Sequence, residues 1–139
     1  MCGIYCSTNG ELKNGSFGEH LLKLRGPNCL SKINIEQFSF SHSLLSITGN
    51  FKFQPYVKDN IVCLYNGEIY NTSYFGTKYE SDGECLIDAY NFKGVDFVKY
   101  LDGEFALILY DIINNVLIAS TDVFGTKPLY YSLDGKNFG

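Results

Sequence analysis

Short apolar runs, and one stretch where apolar and polar residues alternate with a period of two, predict strands along much of this chain, and a helical period replaces them in three places. Gly3–Ser7 is a short apolar run that predicts a strand stopped by Asn9-Gly10. Phe17, Leu21 and Leu24 share one face of a weak helical stretch, which Arg25-Gly26-Pro27-Asn28 ends as a turn because Pro27 pushes Gly26 out of helical geometry. Ile33, Ile35, Phe38 and Phe40 alternate with polar residues and predict two strands, or one with a kink, before Leu44-Leu45 and a loop closed by Pro55. Ile61–Tyr65 predicts a compact strand running into Asn66-Gly67, the dipeptide of a type I′ hairpin. The sequel Glu68-Ile69-Tyr70-Asn71 lacks the alternation of a return strand. Ser81-Asp82-Gly83-Glu84 fits a capping box opening a helix that buries Cys85, Leu86, Ala89 and Tyr90 and ends near Gly94. A second short helix would turn Val95, Val98 and Leu101 inward, and Leu101-Asp102-Gly103 is a turn. Glu104–Asp111 and Val116–Thr121 form a hairpin about Asn114-Asn115. Leu129–Leu133 predicts a further strand, followed by a tight turn at Asp134-Gly135. No returning strand follows that turn, so the expectation is a piece of a longer chain, or a domain whose last sheet edge something else covers.

Composition narrows this to one α+β domain over residues 1–139, rich in antiparallel strands, with 11 Tyr and 11 Phe favouring sheet. A net charge of -4 gives no basic footprint for nucleic acid or an anionic membrane. No apolar run approaches the ~20 residues that span a bilayer, and no basic-then-apolar leader opens the chain. The odd count of 5 cysteines, without CxxC and with His20 and His42 at no ligand-like spacing, predicts reduced thiols in a cytoplasmic protein and no metal.

The candidate chemistry sits at the first residues. If Met1 is removed, Cys2 carries both a thiol and a free α-amine. A Cys nucleophile needs a base or a lowered pKa, and a terminal amine, unperturbed at roughly 7.7–8.0, can accept the thiol proton. For an arbitrary protein, Met-Cys is more often a start followed by an ordinary residue; the rest of the chain decides.

Cys2-Gly3-Ile4, Arg25-Gly26-Pro27, Asn66-Gly67-Glu68-Ile69-Tyr70-Asn71, Ser81-Asp82, Leu101-Asp102-Gly103-Glu104-Phe105-Ala106 and Asp122 with Phe124 through Tyr131 occur in this order. Together they resemble the N-terminal glutaminase domain of asparagine synthetase, a class II glutamine amidotransferase, over essentially the whole chain. The start, Arg25-Gly26-Pro27-Asn28 and His42-Ser43-Leu44 also resemble the divergent asparagine synthetase domain-containing proteins. The resemblance implies an N-terminal-nucleophile hydrolase fold, an α-β-β-α sandwich of two mainly antiparallel sheets, here expected to be short of a C-terminal edge strand.

The same resemblance implies roles. Cys2 attacks the side-chain amide of glutamine, and its α-amine serves as base and then proton donor. Asn66 and the Gly67 N–H hold the oxyanion, and a glycine lets the backbone approach the substrate. Glu68 and Asp82 pair with the substrate ammonium, although Asp82 also suits a helix start. Arg25 braces the loop beside the nucleophile, and Asp122 and Lys127 maintain the fold. The family grips the α-carboxylate through an Arg whose place Leu44 takes here, and a Leu cannot bind a carboxylate; groups of Leu45, Ser46, Ile47 and Thr48 would still line the pocket. Thr121 replaces a second family Arg. The chain has no pyrophosphate-binding loop, so ATP and magnesium would belong to an absent synthetase domain, the expected recipient of the ammonia. Two further readings stand beside a glutaminase: a degenerate binding module that keeps the fold, and an N-terminal-Cys hydrolase of another amide without a free carboxylate.

Overall fold

The computed structural model describes residues 2–8, 15–46, 52–131 and 137–138. The chain divides into two compact units, Met1–Pro55 with Leu129–Gly139, and Tyr56–Pro128. Each is built on its own four-stranded sheet, and every strand pair is antiparallel.

The first unit contains β1 (Gly3–Ser7), α1 (Gly15–Arg25), β2 (Cys29–Ile35) and β3 (Phe38–Leu44). The alternating isoleucines and phenylalanines form two strands, joined at Glu36-Gln37 with Glu36 in the left-handed region (φ 51). β3 is an interior strand, paired with β2 on one side and β1 on the other, and all seven of its residues are buried. Period two puts Phe38, Phe40, His42 and Leu44 on one face and Ser39, Ser41 and Ser43 on the other. Helix α1 forms as expected but presents a different face: Leu21 and Leu24 are exposed, and Leu22 instead lies over Gly3, where an added Cβ would sit 3.0 Å from its Cδ2. Lys23 and Arg25 in the last turn complement the helix dipole.

Tyr131 makes an isolated bridge and residues 129–130 are in no strand, so the strand expected from Leu129 is absent among the described residues; Leu133, Asn9-Gly10 and Asp134-Gly135 lie outside them. A later pair, Asn137–Phe138, supplies an edge strand over Cys6 and Ser7 of β1, and this two-residue strand fills the edge expected to be short.

The second unit carries β4 (Tyr56–Lys58), β5 (Ile61–Ile69), α2 (Cys85–Lys93), β6 (Gly103–Asp111) and β7 (Val116–Thr121), in the sheet order β4-β5-β6-β7. Cys63, Tyr65, Leu107 and Leu109 pack against Leu86, Ala89 and Tyr90 of α2. Gly94 ends α2 with φ 63, as its position predicted. The Gly94–Tyr100 stretch is 3₁₀; Val98 and Leu101 pack against the core as expected, but Val95 is exposed and Phe97 is the fully buried residue, because the tighter turn rotates a different side chain inward. Phe97 meets Tyr90 edge-on at 5.8 Å. The β6–β7 hairpin forms where predicted: Asn115 has φ 51, and Asp111 accepts from the Asn114 N–H and side-chain amide and from the Tyr90 hydroxyl.

One open alternative is decided and one local expectation is corrected. Asn66-Gly67 makes no turn, and β5 runs straight through it in register with β6. The capping box does not form either. Ser81 makes no side-chain cap and its hydroxyl lies 3.2 Å from that of Tyr56, while the Glu84 carboxylate reaches back to the N–H of Glu80. No helix is long and apolar enough to cross a membrane among the described residues.

Candidate active site

The residues singled out from the sequence fall in both units: Cys2, Arg25, Leu45 and Ser46 in the first, and Asn66, Gly67, Glu68 and Asp82 in the second. Ile47 and Thr48 lie outside the described residues.

In the first unit, Cys2 stands immediately before β1 and is half-buried. The backbone N–H of Leu45 donates to Cys2 Sγ at 3.4 Å, and the thiol faces the Leu45 carbonyl at 3.8 Å. Arg25 Nε donates to the Cys2 carbonyl at 3.4 Å, which ties the end of α1 to the backbone before β1. The Arg25–Asn28 turn lies hard against β3: a Cβ on Gly26 would fall 2.1 Å from the Ser43 carbonyl oxygen, which leaves glycine as the residue that fits. The Ser43 hydroxyl lies 2.6 Å from both the Leu22 and Gly26 carbonyls and ties α1 and the turn to the strand. Leu44 is buried at the end of β3, opposite Cys29.

His42 is also wholly buried, and neither ring nitrogen has a hydrogen-bond partner among the described residues. Burial alone lowers its pKa to about 4, so it is a neutral core residue near pH 7. Cys6, next to β3 in the same sheet, is pushed up to about 12 by burial and is an inert thiol.

In the second unit the ladder does the positioning. Asn66 opposes Ala106, Gly67 opposes Phe105 and Glu68 opposes Glu104. Gly67 has φ 151, and an added Cβ would lie 2.0 Å from the Glu104 carbonyl oxygen, so this strand passes here only as glycine. The Asn66 side chain is buried, yet its amide has no hydrogen-bond partner among the described residues. Asp82 Oδ2 accepts from the Tyr65 hydroxyl (2.5 Å) and the Ile69 N–H (2.8 Å), while among the described residues Oδ1 meets only the Ser81 hydroxyl at 3.4 Å. Burial and then the neighbouring Asp82 carboxylate push the Tyr65 pKa up, so the phenol stays a donor. Gly83 permits this approach, since a Cβ there would come within 2.7 Å of the Tyr65 ring.

Glu68 is exposed and directly opposite Glu104, a like-charge pair that Lys127 relieves through a 2.9 Å ion pair to Glu104. Sequence reasoning missed Glu104 because its place opposite Glu68 depends on the β5–β6 register. Asp122 is buried and accepts from the N–H groups of Phe105, Phe124 and Thr126 and the Thr126 hydroxyl. Burial raises its pKa, but these donors outweigh that and hold it at about 2. It thereby fastens the 122–128 loop to β6 at Phe105, the residue opposite Gly67. No cluster of three or more His, Cys, Asp or Glu side chains could hold a metal ion among the described residues.

Residues 1–139 match the family described as a glutamine amidotransferase domain. An asparagine synthetase (glutamine-hydrolyzing) of Asparagus officinalis is 34% identical over 98% of this chain and 26% of its own length. An asparagine synthetase domain-containing protein of Drosophila melanogaster is 32% identical over 93% of this chain and 25% of its own. The amidase chyE of Penicillium rubens is 35% identical over 83% of this chain and 19% of its own. The chain thus spans between a fifth and about a quarter of the length of these relatives. The solved glutamine phosphoribosylpyrophosphate amidotransferase of B. subtilis matches with a TM-score of 0.58 at 16% identity, over 99% of this chain and 34% of that one. That likeness shows the fold, α+β and of the N-terminal-nucleophile hydrolase type, as expected.

Proposed function

Because the chain belongs to the glutamine amidotransferase domain family, we propose that it is a single glutaminase domain that releases ammonia from the side-chain amide of glutamine through Cys2. The observation that supports this most is the Asn66-Gly67 pair: a largely buried asparagine whose amide has no hydrogen-bond partner among the described residues, beside a position where glycine alone fits. Those are the properties wanted of an oxyanion site, which must hold unused donors at fixed positions before charge develops.

With Met1 removed, the Cys2 α-amine takes the thiol proton and Sγ attacks the amide carbon. Asn66 Nδ2 and the Gly67 N–H receive the oxyanion. Collapse breaks the C–N bond, the protonated amine gives its proton to the leaving nitrogen, and ammonia departs from a γ-glutamyl thioester. Water then hydrolyses the thioester to glutamate and restores the thiol. Glu68 and Asp82 Oδ1 receive the substrate ammonium. Leu45 and Ser46 line the pocket, and Arg25 holds the Cys2 backbone. The ammonia goes to a synthetase-type domain or subunit in the cytoplasm, and ATP and magnesium serve that partner; this domain uses no cofactor.

A second reading is favoured by one observation: Leu44 is buried at the end of β3, where the carboxylate-gripping Arg was expected. It makes the substrate an amide whose carboxylate is blocked. Ammonia release from glutamine and from its α-carboxamide, measured for the purified chain, separates the readings. We predict turnover of glutamine, loss of all activity in Cys2→Ala, and a fall of about 10²–10³-fold in Asn66→Ala. Turnover of the carboxamide alone would favour the second reading. A folded protein with a free Cys2 terminus that hydrolyses neither amide would instead be a binding module.

A further inference from the structure

The turn that ends α1 grips the chain on both sides of the residue that touches the candidate nucleophile. The Asn28 N–H donates to the Leu44 carbonyl at 3.0 Å, and Asn28 Oδ1 accepts from the Ser46 N–H, also at 3.0 Å. Leu45 lies between these two anchors, and its N–H is the one that donates to Cys2 Sγ. Sheet pairing does not reach it, for the β3 ladders stop at Leu44 against Cys29 and at Ser43 against Gly3. Beyond the sheet, the side chain of Asn28 is what sets the direction of the Leu45 peptide among the described residues. The same turn reaches the other partner too, through Arg25 Nε on the Cys2 carbonyl.

We infer that Asn28 is a positioning residue for Cys2: by clamping Leu44 and Ser46 it aims the Leu45 N–H at the sulfur and fixes the thiol's orientation for attack. The catalytic part of this rests on the glutaminase reading; the clamp itself does not. The physical reason is that a thiol rotates about one bond, and a sulfur acceptor bond at 3.4 Å is too weak to steer it unless the donor is itself held. Asn28 supplies that hold with a backbone donor and a side-chain acceptor. Asp at this position keeps the acceptor, and Leu keeps the size while removing it.

The test compares the full chain with Asn28→Asp and Asn28→Leu by two readouts. The first is residue-resolved amide hydrogen exchange at Leu45 and Ser46, which needs no turnover. We expect both amides to exchange about tenfold faster or more in Asn28→Leu and to keep their protection in Asn28→Asp. If Ser46 alone speeds up, Leu45 is held by something else and the inference is overturned. The second readout is kcat and KM for glutamine, per Cys2 titrated by a glutamine-shaped electrophile. Positioning predicts a fall of about tenfold in kcat per titrated site at unchanged KM, with Asn28→Asp rescuing it. A merely structural Asn28 would lower the titratable fraction and leave kcat per site unchanged, which also overturns the inference. If the wild-type chain shows no turnover, the glutaminase reading fails while hydrogen exchange still decides the clamp. If Asn28→Leu does not fold, Asn28→Ser, too short to reach Ser46, takes its place with the same expectations.

Discussion

Interior strands of the two sheets bury their residues by opposite means. In β6 every residue from Phe105 to Tyr110 is buried and apolar, and β5 beside it contributes Ile61 through Tyr65 in the same way. In β3 the buried run includes Ser39, Ser41, His42 and Ser43, and the hydroxyls of Ser7 and Ser41 join the His42 ring in having no partner among the described residues. An apolar ladder fixes position through register, so Asn66, Gly67 and Glu68 are placed by backbone pairing alone. A polar interior fixes position through particular hydrogen bonds, so Cys2 is placed by Leu45, Asn28, Arg25 and Ser43. The first kind of site tolerates side-chain changes around it and breaks at the glycine. The second breaks at single donors and acceptors.

The largest effect should come from attacking the register. Gly67→Ala puts a Cβ 2.0 Å from the Glu104 carbonyl in a strand that cannot turn away, so we predict a loss of more than about 3 kcal/mol in denaturant unfolding and no glutaminase activity. A variant with wild-type stability would show that β5 does not depend on this close approach.

Acid should separate the units next. His42 has a folded pKa of about 4, below its unfolded value, so its contribution is present above about pH 6.5 and is lost as pH falls toward 4. That amounts to about 3 kcal/mol. Asp122 has a folded pKa of about 2, so its contribution is lost only between about pH 4 and 2. Hydrogen exchange as a function of pH should show β1–β3 loosening in milder acid than β5–β6; the reverse order would contradict the assignment of His42 as a buried neutral ring.

The smallest effect sharpens the contrast within β3. Ser43→Ala removes a hydroxyl that serves the Leu22 and Gly26 carbonyls and should cost about 1–2 kcal/mol, while Ser41→Ala removes an unpartnered hydroxyl and should be near neutral. Equal losses by thermal unfolding would mean that the two hydroxyls are not distinguished by their partners.

How much of this was legible in the sequence follows the same division. The β6–β7 hairpin, α2 and its end at Gly94 were readable because periodicity and turn residues are local signals. Asn66-Gly67 carried a strong turn signal that only the missing alternation of Glu68 to Asn71 argued against, and the pairing with Phe105 that keeps it in the strand is not a local feature. Leu21 and Leu24 were expected inside because their spacing is helical, but Leu22 lies over Gly3, a contact between distant residues. Among the candidate site residues, Cys2, Arg25 and Asp82 were singled out through motif order. Asn28 was passed over as a turn residue, since its two partners are visible only once β3 is laid beside the turn.

The most direct test of the central claim, that Cys2 is the nucleophile, is the intact mass of the purified chain before and after a diazoketone analogue of glutamine, with the adduct mapped. We predict a protein without Met1 and a single adduct on Cys2, with Cys29 unmodified. An adduct that leaves Cys2 free, or ammonia release from glutamine by a chain that keeps Met1, would contradict it.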